Sequence, residues 1–246
     1  MFTIRSVAAG VLAALACLLP ALSRSAAAQT ADITNNPPYS IQSGDRPGFY
    51  VEIVNEMAKL LKTRVAYDYM DWGAAMAKVR TGRDQLLFPF TRNPERENQF
   101  GWLQKLFTNS VVFVVKPGTP PIDTIDQAKQ LPMIGVLAGA PWGKELAARG
   151  ITNTKAYPTS PDMIAAIASG ALPAAYGPEI ELKYAWRTGG YQGALVEGKQ
   201  IQTSDQYLAM SRDSPSIKPE DWHEAFDALQ QDGTFDRIFA SYFGTK

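Results

Sequence analysis

Cysteine is almost missing from this chain: the single one, Cys17, stands inside an apolar N-terminal stretch. The two leucines that follow it make a poor context for lipid attachment, and one thiol excludes a disulfide framework within the chain. Histidine is equally scarce. His223 alone represents it, so a multi-histidine metal cluster is excluded and any Ser-His-Asp triad would depend on that one side chain. The spacing around it, beside Trp222, assigns it to a helix as a structural or exposed residue. Walker-type and dinucleotide-type glycine loops are missing too, so the chain does not couple nucleotide chemistry itself. After the N-terminal stretch no apolar run approaches the roughly 18 residues that a membrane-crossing helix requires. Charge of one sign is also lacking, with 24 basic against 24 acidic residues, and no basic field argues for nucleic acid.

What is present begins with residues 1–28, which have the layout of an export signal. Arg5 supplies a positive start, "VAAGVLAALACLLPAL" the apolar segment, and Ala26–Ala28 an A-x-A cleavage site. Cleavage before Gln29 would remove Arg5 and Arg24 but no acid, leaving a weakly acidic, cysteine-free chain with a net charge of −2. The expected location is the periplasm. The hydrophobic content of 46% excludes a disordered protein and supplies enough apolar residues for a core.

Periodicity then orders the elements. In "GFYVEIVNEMAKLLKTR", Val51, Val54, Met57, Ala58 and Leu61 fall on one helical face. "VAYDYM" alternates like a strand, "DWGAAMAKVRTG" reads as a helix ended by Gly82, and "QLLFPF" is a short strand interrupted by Pro89, giving a βαβαβ order. A second α/β unit follows the run Val111 to Val115. It contains the strand "MIGVLAG", a helix from Pro141 to Arg149, the helical "SPDMIAAIASGAL", and the further alternation of "PAAYG" with "ELKYAWRTGG". After the strand-like "DQYLAMSRDSP", two amphipathic helices present Trp222, Phe226, Leu229, Phe235, Ile238 and Phe239, a face large enough to return to the first unit. The chain would then cross between units twice, near Val111–Pro117 and near Thr203–Ser211.

One stretch poses a chemical question. In "FPFTRNPEREN", Asn93-Pro94 reads as a helix N-cap and first helical residue, which places Arg96 in a first turn where a cation opposes the helix dipole. Spacing alone allows Glu95 and Glu97 to neutralise an exposed Arg96. It also allows a bound anion to do so.

The segments "PPYSIQSGDRPGFYVEIVNEMAKLL", "DWGAAMAKVRTG", "TRNPERENQFGW", "VVFVVKPG", "IDTIDQAKQLPMIGVLAGA", "SGALPAAYG" and "QQDGTFDRIFASYFG" occur in an order that resembles the small extracytoplasmic solute-binding proteins of ABC importers, in the polar-amino-acid class (solute-binding protein family 3). The resemblance covers nearly the whole chain after residue 28. It implies an α/β, two-lobed periplasmic-binding-protein fold of type II with two hinge crossovers, lobe 1 formed by residues 29–113 plus 207–246 and lobe 2 by residues 114–206. It also implies ligand capture in the cleft by hinge closure and a monomer that serves a membrane permease and ATPase, with no cofactor or metal.

By the same resemblance Arg96 of T-x-x-x-x-R, with Thr91, would hold a ligand carboxylate through a planar bidentate contact, and Trp72 would offer an aromatic face. Tyr39, Asn36, Phe88 and Phe90 are further candidates from the first lobe, although Phe88 and Phe90 should share one strand face unless Pro89 twists it. From the second lobe the candidates are Gly139, Ala140, Trp142, Tyr176 and Glu179. Here the pattern departs from the family. Ala140 and Pro141 stand where a hydroxyl residue is usual, and the acid that meets an α-ammonium falls at Pro178, leaving adjacent Glu179 as either its replacement or a surface charge. The expected ligand is therefore a small carboxylate-bearing solute, an amino acid or a related or aromatic acid. The alternative is a periplasmic cyclohexadienyl-dehydratase-like enzyme with Glu179 as acid, and a sensor that signals by the same closure remains a third reading.

Overall fold

A computed structural model describes residues 28–244 of the chain. The expected export signal lies, apart from Ala28, outside these residues.

The first α/β unit opens with strand β1 (Ala28–Ile33) and helix α1 (Phe49–Leu60), whose Phe49, Tyr50, Ile53, Val54 and Met57 are fully buried. Strand β2 (Arg64–Tyr69), helix α2 (Trp72–Thr81) and strand β3 (Gln85–Thr91) follow. The βαβαβ order is as expected, with β2 and β3 both parallel to β1. Asp71 caps α2 by accepting from the Gly73 and Ala74 amides, which fixes Trp72 at the first helical position.

Strand β4 (Gly101–Val115) is longer than the Val111–Val115 run suggests. Its fifteen residues reach roughly 50 Å at ~3.3 Å per residue, enough to run from one unit into the other. Register shifts between Trp102 and Gln104 and between Lys105 and Phe107 let it bend on the way. The apolar run itself is double-faced. Val111, Phe113 and Val115 enter one core and Val112 and Val114 another, as a strand covered on both sides requires.

The second unit comprises the short helix α3 (Ile125–Ala128), β5 (Ile134–Leu137), α4 (Trp142–Ala148), β6 (Thr154–Tyr157), α5 (Ser160–Ser169), β7 (Ala174–Pro178), α6 (Glu179–Thr188) and β8 (Val196–Glu197). The chain returns along β9 (Gln202–Met210), antiparallel to β4 from Val111↔Gln202 to Gly101↔Met210. It ends in α7 (Pro219–Gln231) and α8 (Thr234–Phe243). One curled sheet results, in the order β2-β1-β3-β9-β4-β7-β5-β6, with β8 on β4. This is the two-lobed type II architecture.

Trp222, Phe226, Leu229, Phe235, Ile238 and Phe239 pack with α1, Ile33 and Phe88 in a single core. The terminal helices thus cover the first unit, as their apolar faces suggest. His223 is exposed, and its Nε2 lies 2.6 Å from the Leu103 carbonyl oxygen. Among the described residues no helix is long and apolar enough to cross a membrane.

Candidate functional site

A cavity of about 500 Å³ lies between the two lobes, within the size range of small-molecule sites. Its first-lobe wall contains Asn36, Tyr39, Trp72, Pro89, Thr91 and Arg96, and its second-lobe wall Gly139, Ala140, Trp142, Ser160 and Glu181. Gln206, on the returning strand, lies between them.

Arg96 does not open a helix. Residues 94–99 form successive turns, because after Pro94 the chain closes Arg96 N–H onto both the carbonyl and the side-chain oxygen of Asn93, at 3.1 and 3.0 Å, and Gln99 N–H onto Arg96. The guanidinium donates to Thr91 O at 3.1 Å and to Gly139 O, across the cleft, at 3.3 Å. Its neighbours in sequence are engaged elsewhere. Glu95 pairs with Lys144 of α4 at 2.8 Å and Glu97 with Arg92 at 2.5 Å. Among the described residues Arg96 therefore has backbone acceptors but no carboxylate, and burial pulls its pKa below the usual arginine value, only partly opposed by Glu95. An anion entering the cleft would find a partly desolvated, unneutralised fork of donors.

The other first-lobe candidates fall into two groups. Thr91 accepts from Gln206 Nε2 at 3.0 Å, and Trp72 presents its ring at the cavity edge while meeting Phe90 edge to face. Tyr39 is buried and stacked on Tyr50 at 4.9 Å, with the Asn109 side chain beside its hydroxyl. Phe88 and Phe90, in contrast, do not line the cavity. A register shift between Leu87 and Phe90 puts Phe88 into the α1 core and Phe90 into the α2 core, so the two rings leave the strand on opposite sides. Phe90 lies behind the clamp, with the Arg96 guanidinium carbon 4.6 Å from its ring centroid.

In the second lobe Gly139, Ala140 and Trp142 line the cavity, whereas Tyr176 and Glu179 do not. Tyr176 is fully buried behind Trp142 and against Phe113. Glu179 faces outward and pairs with Lys183 at 3.1 Å. The acid on the second-lobe wall of the cavity is Glu181. Residues two apart on a helix point about 200° away from each other, so of Glu179 and Glu181 only one can face the cleft. Residues three apart share a face, which puts Glu181 under the Pro178 position. Glu181 is buried and accepts a short hydrogen bond from Ser160 Oγ, the first residue of α5. Burial pushes its carboxyl up to about 7, with Ser160 opposing the shift.

Ser160, like Glu181 and Gln206, was absent from the expected set. "TSPD" is a helix-start signature, and the alternation of Ser204, Gln206 and Leu208 marks the inward side of β9, so both carried a signal. A hydroxyl does reach the second-lobe wall, from α5 rather than from the Ala140 position.

The model of bacterial extracellular solute-binding proteins, family 3, matches residues 30–245. The chain is 24% identical over 222 residues to the lysine/arginine/ornithine-binding periplasmic protein of Escherichia coli (strain K12), covering 85% of each chain. Among solved structures it is similar to a histidine kinase sensor domain with similarity to periplasmic binding proteins, with a TM-score of 0.78 at 18% identity over 89% of this chain and 97% of that one. It is also similar to the ancestral amino acid-binding protein AncCDT-1, a precursor of cyclohexadienyl dehydratase, with a TM-score of 0.72 at 17% identity, covering 88% and 95%. The two-lobed sheet, the interlobe cavity and a family match spanning nearly every described residue agree, and the chain belongs to family 3 of the bacterial extracellular solute-binding proteins.

Proposed function

We propose that this protein is exported by the signal in residues 1–28 and works in the periplasm as a monomeric, non-enzymatic substrate-binding protein of an ABC importer. It captures a small carboxylate-bearing solute between lobe 1 (residues 29–113 and 207–246) and lobe 2 (residues 114–206). The strands β4 and β9 act as the hinges, and the closed form is presented to a permease and its ATPase. Arg96 and Thr91 take the carboxylate, while Trp72, Trp142 and Tyr39 enclose the rest of the solute. The observation that carries this reading is the lone Arg96 cation: both acids beside it pair with other cations, which leaves its charge to an incoming anion. The bridges Arg96–Gly139 and Glu95–Lys144 join the two walls and support closure as the capture step.

The test is thermal unfolding of ligand-stripped protein against amino acids, aromatic carboxylates and small dicarboxylates. A solute at about 1,000 times its Kd adds ~4 kcal/mol, which for a chain of this size raises the Tm by roughly 10 °C. The reading expects such a shift with one carboxylate class and its loss in Arg96→Ala. An unaltered shift in that variant would remove the clamp from the mechanism.

A second reading is favoured by one observation, the carboxyl of Glu181 held up to about 7 in the cleft. An acid that keeps its proton near neutral pH can serve a dehydratase, giving that proton to a departing hydroxyl as carbon dioxide leaves a prephenate-like acid. Glu181 replaces Glu179 in this alternative. Incubation with prephenate decides it: phenylpyruvate formation that disappears in Glu181→Gln supports the enzyme, and unchanged prephenate excludes it.

A further inference from the structure

One chain of hydrogen bonds runs from the cavity wall into the returning strand. Thr91, the last residue of β3, lies opposite Gln206 of β9 in the antiparallel register. Residues opposite each other on such a pair project from the same side of the sheet, and residues two apart on one strand share a side as well. Thr91, Gln206 and Ser204 therefore stand together. Thr91 and Gln206 belong to the cavity wall, and Ser204 lies behind them, outside it.

The donor sets the direction of the bonds. Gln206 Nε2 carries two hydrogens and donates to both hydroxyls, Thr91 Oγ1 at 3.0 Å and Ser204 Oγ at 3.0 Å. Its N–H capacity is thereby used in full. Both hydroxyls act as acceptors in these bonds, and each keeps its own hydrogen. Gln206 and Ser204 are buried, so the protein rather than bulk water fixes the orientation of the amide.

The main chain of Thr91 is occupied too, since its carbonyl accepts from Arg96 Nη1 at 3.1 Å. With the carbonyl held by Arg96 and the hydroxyl oxygen by Gln206, the group left to Thr91 is one O–H. Threonines elsewhere in the fold show the alternative. Thr81 and Thr188 turn their hydroxyls back onto the carbonyl oxygens of Ala77 and Tyr184, four residues earlier, and so spend that hydrogen within their own helices.

We infer that Gln206 is a positioning residue for carboxylate capture: by occupying the oxygen of Thr91 it turns the Thr91 O–H toward the solute, while Ser204 fixes the amide from behind. This rests on the carboxylate-binding reading above and goes beyond it by assigning what aims the second donor. Beside the Arg96 fork the site then presents a second donor, and a carboxylate, which only accepts, is the group that such a pair selects. With the amide reversed, Oε1 would take up the hydroxyl hydrogens and Thr91 would show the solute only a lone pair, which repels a carboxylate. The polarity of a neutral network thus decides whether the charged site is complete.

The experiment is a double-mutant cycle on the full mature chain, stripped of ligand. The probe is the tightest binder, found by thermal shift, among the twenty common L-amino acids, 3-phenylpropanoate, 3-phenyl-2-oxopropanoate and glutarate, and its Kd is measured by calorimetry. Gln206→Met and Thr91→Val are each expected to weaken binding about tenfold or more, the range of one hydrogen bond to a charged group. Because both act through one O–H, the double variant is expected within about twofold of Thr91→Val, where independent contacts would multiply to about a hundredfold. Ser204→Ala, outside the cavity wall, should cost about threefold in the parent and nothing in Gln206→Met. Thr108→Val deletes the bond from β4 to Asp205 on the exposed side of the same strand pair and should keep the parent's affinity. Losses that multiply in the double variant overturn the inference, because Gln206 would then meet the solute independently of Thr91. A loss in Thr108→Val equal to that in Gln206→Met overturns it as well, by showing a general loosening of β9. The cycle of Ser204→Ala with Thr91→Val tests the same chain if Gln206→Met does not fold. If Arg96→Ala abolishes binding while Gln206→Met and Thr91→Val leave it unaltered, the carboxylate reading stands and this inference falls; if no probe binds, or Arg96→Ala binds as tightly as the parent, both fall.

Discussion

The empty protein should lose stability as pH rises through the neutral range, because of one side chain. Glu181 ionises at about 7 in the folded chain against an ordinary value of 4.5, so between these values the native state keeps a proton that the unfolded state has released. Stability falls with pH wherever the folded state binds more protons. The contribution is fully present below pH 4.5 and declines until pH 7, then levels off. At about 1.4 kcal/mol per pH unit the total is ~3 kcal/mol, and most of it lies between pH 5 and pH 8. Glu181→Gln keeps the size of the side chain and its capacity to accept from Ser160 while removing the titration. Urea unfolding at pH 5, 6, 7 and 8 should give a variant that matches the parent at pH 5 and exceeds it by roughly 2–3 kcal/mol at pH 8. Subtracting one profile from the other cancels groups common to both, including Asp32. Parallel profiles would refute the argument, since they would show that Glu181 ionises without cost in its native surroundings.

Three further substitutions test the architecture. Gly139 has a φ of 74° and a Cβ there would stand 2.9 Å from Trp72 Cδ1, so Gly139→Ala should push the indole out of the cleft and weaken solute affinity at least about tenfold, beside a loss of about 1–2 kcal/mol in urea unfolding from the left-handed backbone; equal affinities would show that the lobes do not close on this contact. Lys78 donates to the fully buried Asp32 at 2.6 Å, and Lys78→Ala should cost about 1–3 kcal/mol at pH 8 and less at pH 5, where Asp32 can take a proton instead; a cost that does not vary with pH would contradict this. Trp222 is 1% exposed in the core shared by α1, α7 and α8, so Trp222→Ala should lower stability by roughly 3–5 kcal/mol in denaturant melts, and a loss below about 1 kcal/mol would mean that α7 contributes little to that core.

Much of the fold was legible because its local signals agree with one another. The apolar spacing of α1 and of the two terminal helices, the Asp71-Trp72 start of α2 and the double-faced Val111–Val115 strand each follow from a period of 3.6 or 2. Residues 101–110 of β4 were less legible, since "GWLQKLFTNS" mixes exposed and buried positions and is interrupted by two register shifts. Strand β6 was missed because only Tyr157 of its four residues is buried, so it has almost no apolar pattern. In the site, Arg96, Thr91, Trp72, Tyr39, Asn36, Gly139, Ala140 and Trp142 all reach the cavity. The failures cluster where a side chain's direction depends on a bulge or on rotation around a helix. Phe88 and Phe90 separate at the register shift before Thr91, and Glu179 faces away because Glu181 faces in.

The sequence by itself determined the α/β order and the family, since these follow from periodicity and motif order along one dimension, whereas the helix start expected at Asn93-Pro94 proved to be a run of turns. Only the tertiary structure decided what the charges of the site do. Glu95 and Glu97 stand beside Arg96 in sequence, yet Lys144 and Arg92 claim them, and Ser160 comes from another helix to meet Glu181. The reason is physical: a charge is compensated by whatever lies within a few ångströms, in a medium whose dielectric depends on burial, and neither distance nor burial is a property of sequence separation.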